Sequence, residues 1–324
     1  MNYPKISIVT PSFNQAHFLE ETILSVITQN YPNLEYIIID GGSTDGSVDI
    51  IKKYEKYLTY WVSEPDKGHG NALNKGFAKT TGEIMAWINS DDKYYPNTFT
   101  TVAEIFNKFS DINWIQGKNS RIDKSGRLQD VHFSLINIYS YLLYDYKWIQ
   151  QESVFWRRSL WDKSGAFINE KMELMVDGEL WTRFFLSDDI WHLDLVIGGF
   201  RSHDKNRARS NIETVYKEMD EVINVMKTKL SPDLISSFNI LQEYLNLLKI
   251  SKRNEVTVYK RKALKILPHF LYTRFIRYLI SKKKILFNFE HENYDYKLLY
   301  FVDDCWIKNT QKLKNIITEN REKI

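Results

Sequence analysis

Four times between Lys5 and Phe109 a short β-branched apolar run is followed by a stretch of helical period. The pairs are Ile6-Ser7-Ile8-Val9 with 17–28, Tyr36-Ile37-Ile38-Ile39 with 47–57, Tyr60-Trp61-Val62 with 71–78, and Ile84-Met85-Ala86-Trp87-Ile88 with 96–109. Short runs without polar alternation are strands buried on both faces, and helix-length connections between them enforce parallel pairing. The expected fold class is therefore α/β, a mostly parallel sheet flanked by helices. Ligands of such sheets bind beyond the carboxyl ends of the strands, so the loops after the four runs are the first places to look for chemistry.

Beyond this region the pattern loosens. Asp123-Lys124-Ser125-Gly126 is a turn signal and predicts a hairpin over 121–131, with a helix expected over 175–186 and a strand pair over 190–200. From about Ser210 the periodicity predicts long helices at 212–229, 236–249 and 256–280, the last interrupted by Pro268. Two domains are expected in the 324 residues, 1–210 and a helical region 211–324. A hydrophobic fraction of 43 % with only 13 Gly and 7 Pro excludes a disordered or collagenous chain. The single cysteine, Cys305, excludes an internal disulfide framework and a cysteine zinc site, and fits a reducing, cytoplasmic setting. Neither a secretion signal nor a spanning segment is expected. The first five residues lead directly into the first run, and the best apolar candidate, 266–289, is broken by Arg274, Arg277 and Lys282-Lys283-Lys284.

The loop after the first run, Thr10-Pro11-Ser12-Phe13-Asn14, sets hydroxyls on either side of a proline where a helix opens. It suits a ligand at a helix N-terminus, and equally a plain turn capped by Asn14. The second loop, Asp40-Gly41-Gly42-Ser43-Thr44-Asp45-Gly46, offers glycines for close backbone approach, Asp40 as an acceptor for a base or ribose, and Asp45 as a helix cap. It matches neither the dinucleotide fingerprint nor the phosphate loop. The third, 63–76, is dense in polar residues and glycine, and its Lys75, beside Asn71 and Asn74, can face a phosphate or solvent. After the fourth run stands Asn89-Ser90-Asp91-Asp92. Adjacent carboxylates at a buried strand end are costly unless a cation or donors satisfy them. A divalent metal, Mn or Mg, meets that need and keeps positions open for substrate phosphates; helix capping is the plainer alternative.

In this order and spacing, residues 6–14, 35–47, 66–76 and 88–92 resemble the family 2 glycosyltransferases of GT-A fold. The resemblance spans about residues 4–205 and leaves out the C-terminal helices. It implies a nucleoside-diphosphate sugar as donor, with Thr10, Pro11, Ser12, Asp40 and Asp66 lining the nucleotide pocket. Asn74 and Lys75 would lie toward the sugar diphosphate, and Gly42 and Ser90 would belong to the donor site as well. Asp91 stands at the last position of the family's Asp-x-Asp metal motif. The first acidic position is Asn89 here, so the site has one charge fewer, and Asp92 either shares ligation or holds the acceptor loop.

Downstream, Asp177-Gly178-Glu179-Leu180-Trp181 resembles the family's acidic segment that supplies the general base. A sugar hydroxyl is a poor nucleophile, and a carboxylate within hydrogen-bond reach takes its proton as it attacks. Asp177 is the expected base and Glu179 the alternative; spaced by two, they point to different sides of a helix. Phe200-Arg201-Ser202-His203 resembles the late segment in which a histidine completes the metal or diphosphate site, and Lys205, Arg207 and Arg209 can neutralise the departing diphosphate. The stretch 148–158 is similar too. Gln151, Glu179 and Trp181 are expected at the acceptor cleft, with ordinary packing as the alternative.

The whole chain nets only +3, yet residues 251–324 hold 17 Lys and Arg against 8 Asp and Glu. Basic residues at 260–262, 265, 274, 277 and 282–284 alternate with Leu, Ile and Phe, which suits an anionic membrane surface, or else a packed helix with solvated lysines. No nucleic-acid-binding signature accompanies them, so nucleic acid is not an expected partner. The expected activity is inverting transfer of a sugar to a hydroxyl of a glycan acceptor, lipid-linked or free, in polysaccharide biosynthesis, peripheral to the inner face of a membrane. The rival readings are a metal-dependent nucleotidyltransferase, which releases pyrophosphate, and a nucleotide-sugar-binding scaffold without turnover.

Overall fold

A computed structural model describes residues 3–132, 136–144, 148–204, 206–207, 211–236, 238–239, 242, 298–302 and 305–309. The chain divides into two units, Met1–Phe133 with Trp148–Val222, and Ser134–Lys147 with Ile223–Ile324. In the first unit β1 (Ile6–Ser12), α1 (Ala16–Ile27), β2 (Leu34–Asp40), α2 (Ser47–Lys53), β3 (Tyr60–Ser63), α3 (His69–Phe77) and β4 (Ile84–Trp87) realise the predicted alternation. There follow β5 (Lys93–Tyr94), α4 (Thr98–Lys108), β6 (Trp114–Gln116) and the hairpin β7 (Asn119–Ile122)–β8 (Leu128–His132). The short helix α5 (Ile138–Leu142) belongs to the second unit. Next come β9 (Val154–Arg157), α6 (Arg158–Lys163), α7 (Val176–Phe185), β10 (Trp191–Leu193), β11 (Gly198–Arg201) and α8 (Ile212–Lys227), whose last turn lies past the unit boundary. In the second unit β12 (Leu298–Val302) and β13 (Cys305–Asn309) form an antiparallel hairpin. The predicted helix 256–280, most of 236–249 and the basic clusters lie outside the described residues. Among the described residues no helix is long and apolar enough to cross a membrane.

Seven strands of the first unit make its central sheet, in the order β10-β6-β9-β4-β1-β2-β3. All recorded pairs are parallel except those of β9, which runs antiparallel between β4 and β6. All seven residues of β1 are buried, as the unbroken apolar run requires of a central strand. Helix α3 lies close on β1 and β2 because Gly76 carries no side chain; a Cβ there would meet Val9 Cγ1 at 2.4 Å. The core is strongly aromatic. Trp87, Trp114, Trp156 and Trp181 are fully buried, with Trp181 stacked on Trp87 at 5.7 Å and on Trp114 at 5.8 Å. A second, four-stranded sheet has the order β5-β11-β7-β8.

The loops after β1 and β2 are stitched together. Asp45 accepts the Ala16 N–H at 2.9 Å and Ser47 Oγ accepts that of Gln15 at 3.2 Å, so the start of α1 is capped from the neighbouring loop. Asn14, in the left-handed region at φ 51°, accepts the Thr44 N–H instead of capping its own helix.

Candidate active site

Strand register brings three carboxyl ends level. Ser12 pairs with Asp40, and Asp40 with Ser63. Above them opens a cavity of about 780 Å³. One wall is built from Pro11, Ser12, Phe13, Gln15 and Gly41, the next from Pro65, Asp66, Gly68, His69 and Ala72, and the floor from Asn89, Ser90 and Asp91. Glu173 and Leu174, ahead of α7, Phe200, on β11, and Asn206 and Arg207, after it, complete it.

Of the predicted donor residues, Pro11, Ser12, Asp66 and Ser90 stand in this wall. Ser12 is 4 % exposed and its hydroxyl has no hydrogen-bond partner among the described residues, a buried polar group that a ligand can satisfy. Phe13 is 61 % exposed and presents an aromatic face for a base. Asp66 accepts the Gly68 N–H at 2.7 Å, and the missing side chain of Gly41 leaves it room, since a Cβ there would lie 2.9 Å from Asp66 Oδ2.

Five expected donor residues stand behind the wall. Thr10 is core, its hydroxyl 3.1 Å from that of Tyr36. Asp40 is buried and occupied: Ser43 Oγ donates to Oδ1 at 2.6 Å, while Gly42 N, Ser43 N and Ser63 Oγ donate to Oδ2 at 3.1, 2.8 and 2.6 Å. Its carboxylate shapes the glycine loop instead of reaching for a ribose, and Gly42, at φ +83°, makes the turn in that loop. Lys75 is paired with Glu64 at 2.7 Å. Asn74 is spent on the backbone of Ile168, at 2.9 and 2.7 Å, and on Glu170 at 2.7 Å. These side chains brace the cavity without lining it.

At the floor, Asp91 Oδ2 and His203 Nε2 meet at 2.9 Å, two residues brought together from 112 positions apart. Arg201, fully buried, holds the floor in place. It donates to the backbone oxygens of Asp91 at 2.6 Å, Asp123 at 3.2 Å and Lys124 at 3.1 Å, and to Glu21 at 2.5 Å. Asp92 points the other way, which corrects its expected share in metal ligation. It is fully buried, accepting the Arg201 N–H at 2.7 Å and the Asn89 amide at 3.3 Å. Burial above all, then the charges of Asp91 and Glu152, raises its pKa far above the usual carboxylate range. The Asn89 amide oxygen faces His69 Nε2 at 3.1 Å, and burial pushes His69 downward, toward the neutral imidazole.

The donor set therefore offers one carboxylate and one imidazole, and no group of three metal-ligating side chains occurs among the described residues. Two such ligands fit a hard divalent ion only when diphosphate oxygens complete its shell, which is how Mg is commonly bound. Arg207 stands in the wall, whereas Lys205 and Arg209 lie outside the described residues.

Asp177 occupies the first turn of α7, just beyond the wall residues Glu173 and Leu174. Burial lifts it to about 6, against the Gly178 N–H that it accepts at 2.8 Å, with a further upward push from Glu218. Glu179, the alternative base, is clamped by Arg183 at 3.0 and 2.8 Å. Trp181 belongs to the tryptophan stack, and Gln151 is buried, donating to the Trp87 carbonyl at 2.5 Å. Like Asp177, none of the three lines the cavity: Glu179 is braced by Arg183, and Trp181 and Gln151 sit in packed positions. The neighbouring Glu152 belongs to the 148–158 stretch, whose Gln and Glu the resemblance also puts at the acceptor cleft. It is buried, takes a hydrogen bond from the Gln150 amide, and is lifted to about 8 by burial first, with Asp91 and Asp177 adding to the rise. His69 carries little signal in the sequence beyond its place between two glycines shortly after Asp66.

This architecture, with a cavity over the carboxyl ends of a mostly parallel sheet, is the GT-A type. Over 95 % of the chain it is similar to S. aureus TarS 1–349 in complex with UDP-GlcNAc, with a TM-score of 0.59, 14 % identity and 97 % of that chain covered. Residues 7–161 match the model of glycosyl transferase family 2. An uncharacterized glycosyltransferase of Rickettsia prowazekii is 26 % identical over 231 residues, 67 % of this chain and 69 % of the relative. The putative teichuronic acid biosynthesis glycosyltransferase TuaG of Bacillus subtilis is 38 % identical over 96 residues, 28 % of this chain and 37 % of the relative. Against several other curated relatives the chain spans less than half of their length.

Proposed function

We propose that the protein transfers a sugar from a nucleoside-diphosphate sugar to a hydroxyl of a glycan acceptor, lipid-linked or free, in polysaccharide assembly, with inversion at the anomeric carbon. The observation that carries this reading is the cavity itself, whose lining holds the Ser12 hydroxyl, without a partner among the described residues, the open face of Phe13, and Asp91, which meets His203 at 2.9 Å. Phe13 takes the face of the base, Ser12 and Asp66 hydrogen-bond the nucleoside, and Arg207 meets the negative charge of the diphosphate. Asp91 and His203 would hold a divalent Mn or Mg ion, which would neutralise charge on the leaving diphosphate.

Asp177 holds the acceptor proton. With a midpoint near 6 it is ionised at neutral pH yet basic enough to take a proton from a hydroxyl, and a single displacement then inverts the configuration. The name of TuaG supports polysaccharide assembly, and the TarS complex makes UDP-sugars the first donors to try. The basic excess of 251–324 supports an anionic membrane on the cytoplasmic side as the place where the acceptor is met.

The test is the melting midpoint against a panel of nucleoside diphosphates and their sugars, with and without Mn. The expected result is a rise with one nucleotide that grows when Mn is present, because a ligand of the native state alone stabilises it. No rise with any member of the panel, Mn included, would refute the donor site.

A further inference from the structure

Glu218 lies on α8, inside the first unit, and is 8 % exposed. Its carboxylate accepts three consecutive backbone N–H groups: that of Glu173 at 2.6 Å, of Leu174 at 3.0 Å and of Met175 at 2.9 Å. These are the amides that lead into α7, whose own N-cap, Met175, supplies no side-chain hydrogen bond. A helix start left without a cap has unsatisfied donors and a positive dipole end, and here a carboxylate from another helix meets both needs.

The turn that it holds has two jobs. Glu173 and Leu174 stand in the cavity wall, and Asp177 follows in the first turn of the helix. We infer that Glu218 is a positioning residue for the transfer site, holding the 173–175 turn so that one carboxylate aligns both the donor wall and the base. The inference rests on the reading of Asp177 as that base. A neutral hydrogen-bond acceptor could hold the turn too; what distinguishes Glu218 is its charge. The charge adds to the upward shift of Asp177 after burial. The other acidic group that feels Asp177 is Glu152, from the 151–153 turn, while Glu179 on α7 itself is neutralised by Arg183.

Two measurements on the full chain test this. In protein carrying ¹³Cγ-labelled aspartate, the Asp177 resonance is the one missing from Asp177→Asn. Its titration midpoint in wild type is expected near 6, and Glu218→Gln should lower it measurably through loss of a like charge. Glu218→Asp, which keeps the charge, should hold most of the wild-type midpoint. In wild-type protein the amides of 173–175 should exchange with solvent far more slowly than an exposed loop. An unmoved midpoint in folded Glu218→Gln overturns the inference. So do loop-like exchange rates at 173–175 in wild type, a result that stands even where the Gln variant does not fold. Transfer activity surviving in Asp177→Asn overturns the base reading instead, and neither of the Glu218 readouts depends on it.

Discussion

Replacing Asp177 by Asn should make the protein more stable while abolishing transfer. The carboxyl is lifted from an ordinary 3.8 to about 6, chiefly by burial, so the folded state holds this proton more tightly than the unfolded chain does. Stability from that proton is fully present below about 3.8 and is lost as the pH rises through 6. Above that window the ionised group costs up to ~3 kcal/mol, at 1.36 kcal/mol per unit. Asn keeps an oxygen for the Gly178 N–H and carries no charge, so it escapes the cost. The other raised carboxyls, Asp92 and Glu152, are common to both proteins and largely cancel in the difference. The assay is paired thermal melts of wild type and Asp177→Asn from pH 4 to pH 8. The variant should gain little at pH 4, gain progressively toward pH 6 and level off above it, with a plateau of a few degrees. A difference that is flat with pH, or that favours wild type at pH 7.5, would refute the claim that this carboxylate is held ionised against the cost of burial.

Three further outcomes follow from the same geometry. Ser12→Ala removes a hydroxyl with no partner among the described residues, so the melting midpoint should hold while nucleoside diphosphate affinity, measured by calorimetry, falls about three- to tenfold, the worth of one hydrogen bond. Asp91→Asn should leave the metal-free melt unchanged within a degree or two and abolish any extra stabilisation that Mn confers on the nucleotide complex; retention of that increment would remove Asp91 from the metal site. Arg201→Lys should cost about 2 kcal/mol or more in urea unfolding, because an ammonium cannot reproduce a planar fork shared among four acceptors and leaves buried carbonyl oxygens unsatisfied, while Glu21 keeps Lys93.

The strands and helices up to residue 109 were legible because each burial requirement is local: a strand covered on both faces needs an unbroken β-branched run, and α1 to α4 each keep a regular apolar face. The hairpin β7–β8 was legible from its Asp-Lys-Ser-Gly turn. Strand β9 was not, since Val154-Phe155-Trp156-Arg157 is too short to show a period and owes its place to pairing with β4 and β6 from distant parts of the chain. The grouping of 134–147 with 223–324 was likewise invisible, because it depends on long-range packing and no composition shift marks it. At the site, motif position identified the loops that line the cavity but not which side chains in them face it. Thr10, Asp40 and Asp92 read as ligand-binding groups because they are polar residues at strand ends. Their partners, Tyr36, Ser63 and Arg201, stand on other strands and could not be seen from the loop sequences.

That misreading has a physical basis that bears on how the site works. A polar group at a buried strand end must be satisfied, and in a sheet of this kind the cheapest partner is often the neighbouring loop rather than a ligand. Asp40 and Asp92 are each consumed in this way, and the consequence is rigidity: the glycine loop above β2 and the Asn89–Asp92 turn are held by bonds that do not depend on any substrate. The groups that remain for a ligand are the few that the fold leaves without such partners, with the Ser12 hydroxyl and the face of Phe13 foremost among them. A donor then meets a wall already in place, and less of its binding energy goes into ordering the loops, which is the condition under which a small number of polar contacts can discriminate between nucleotides.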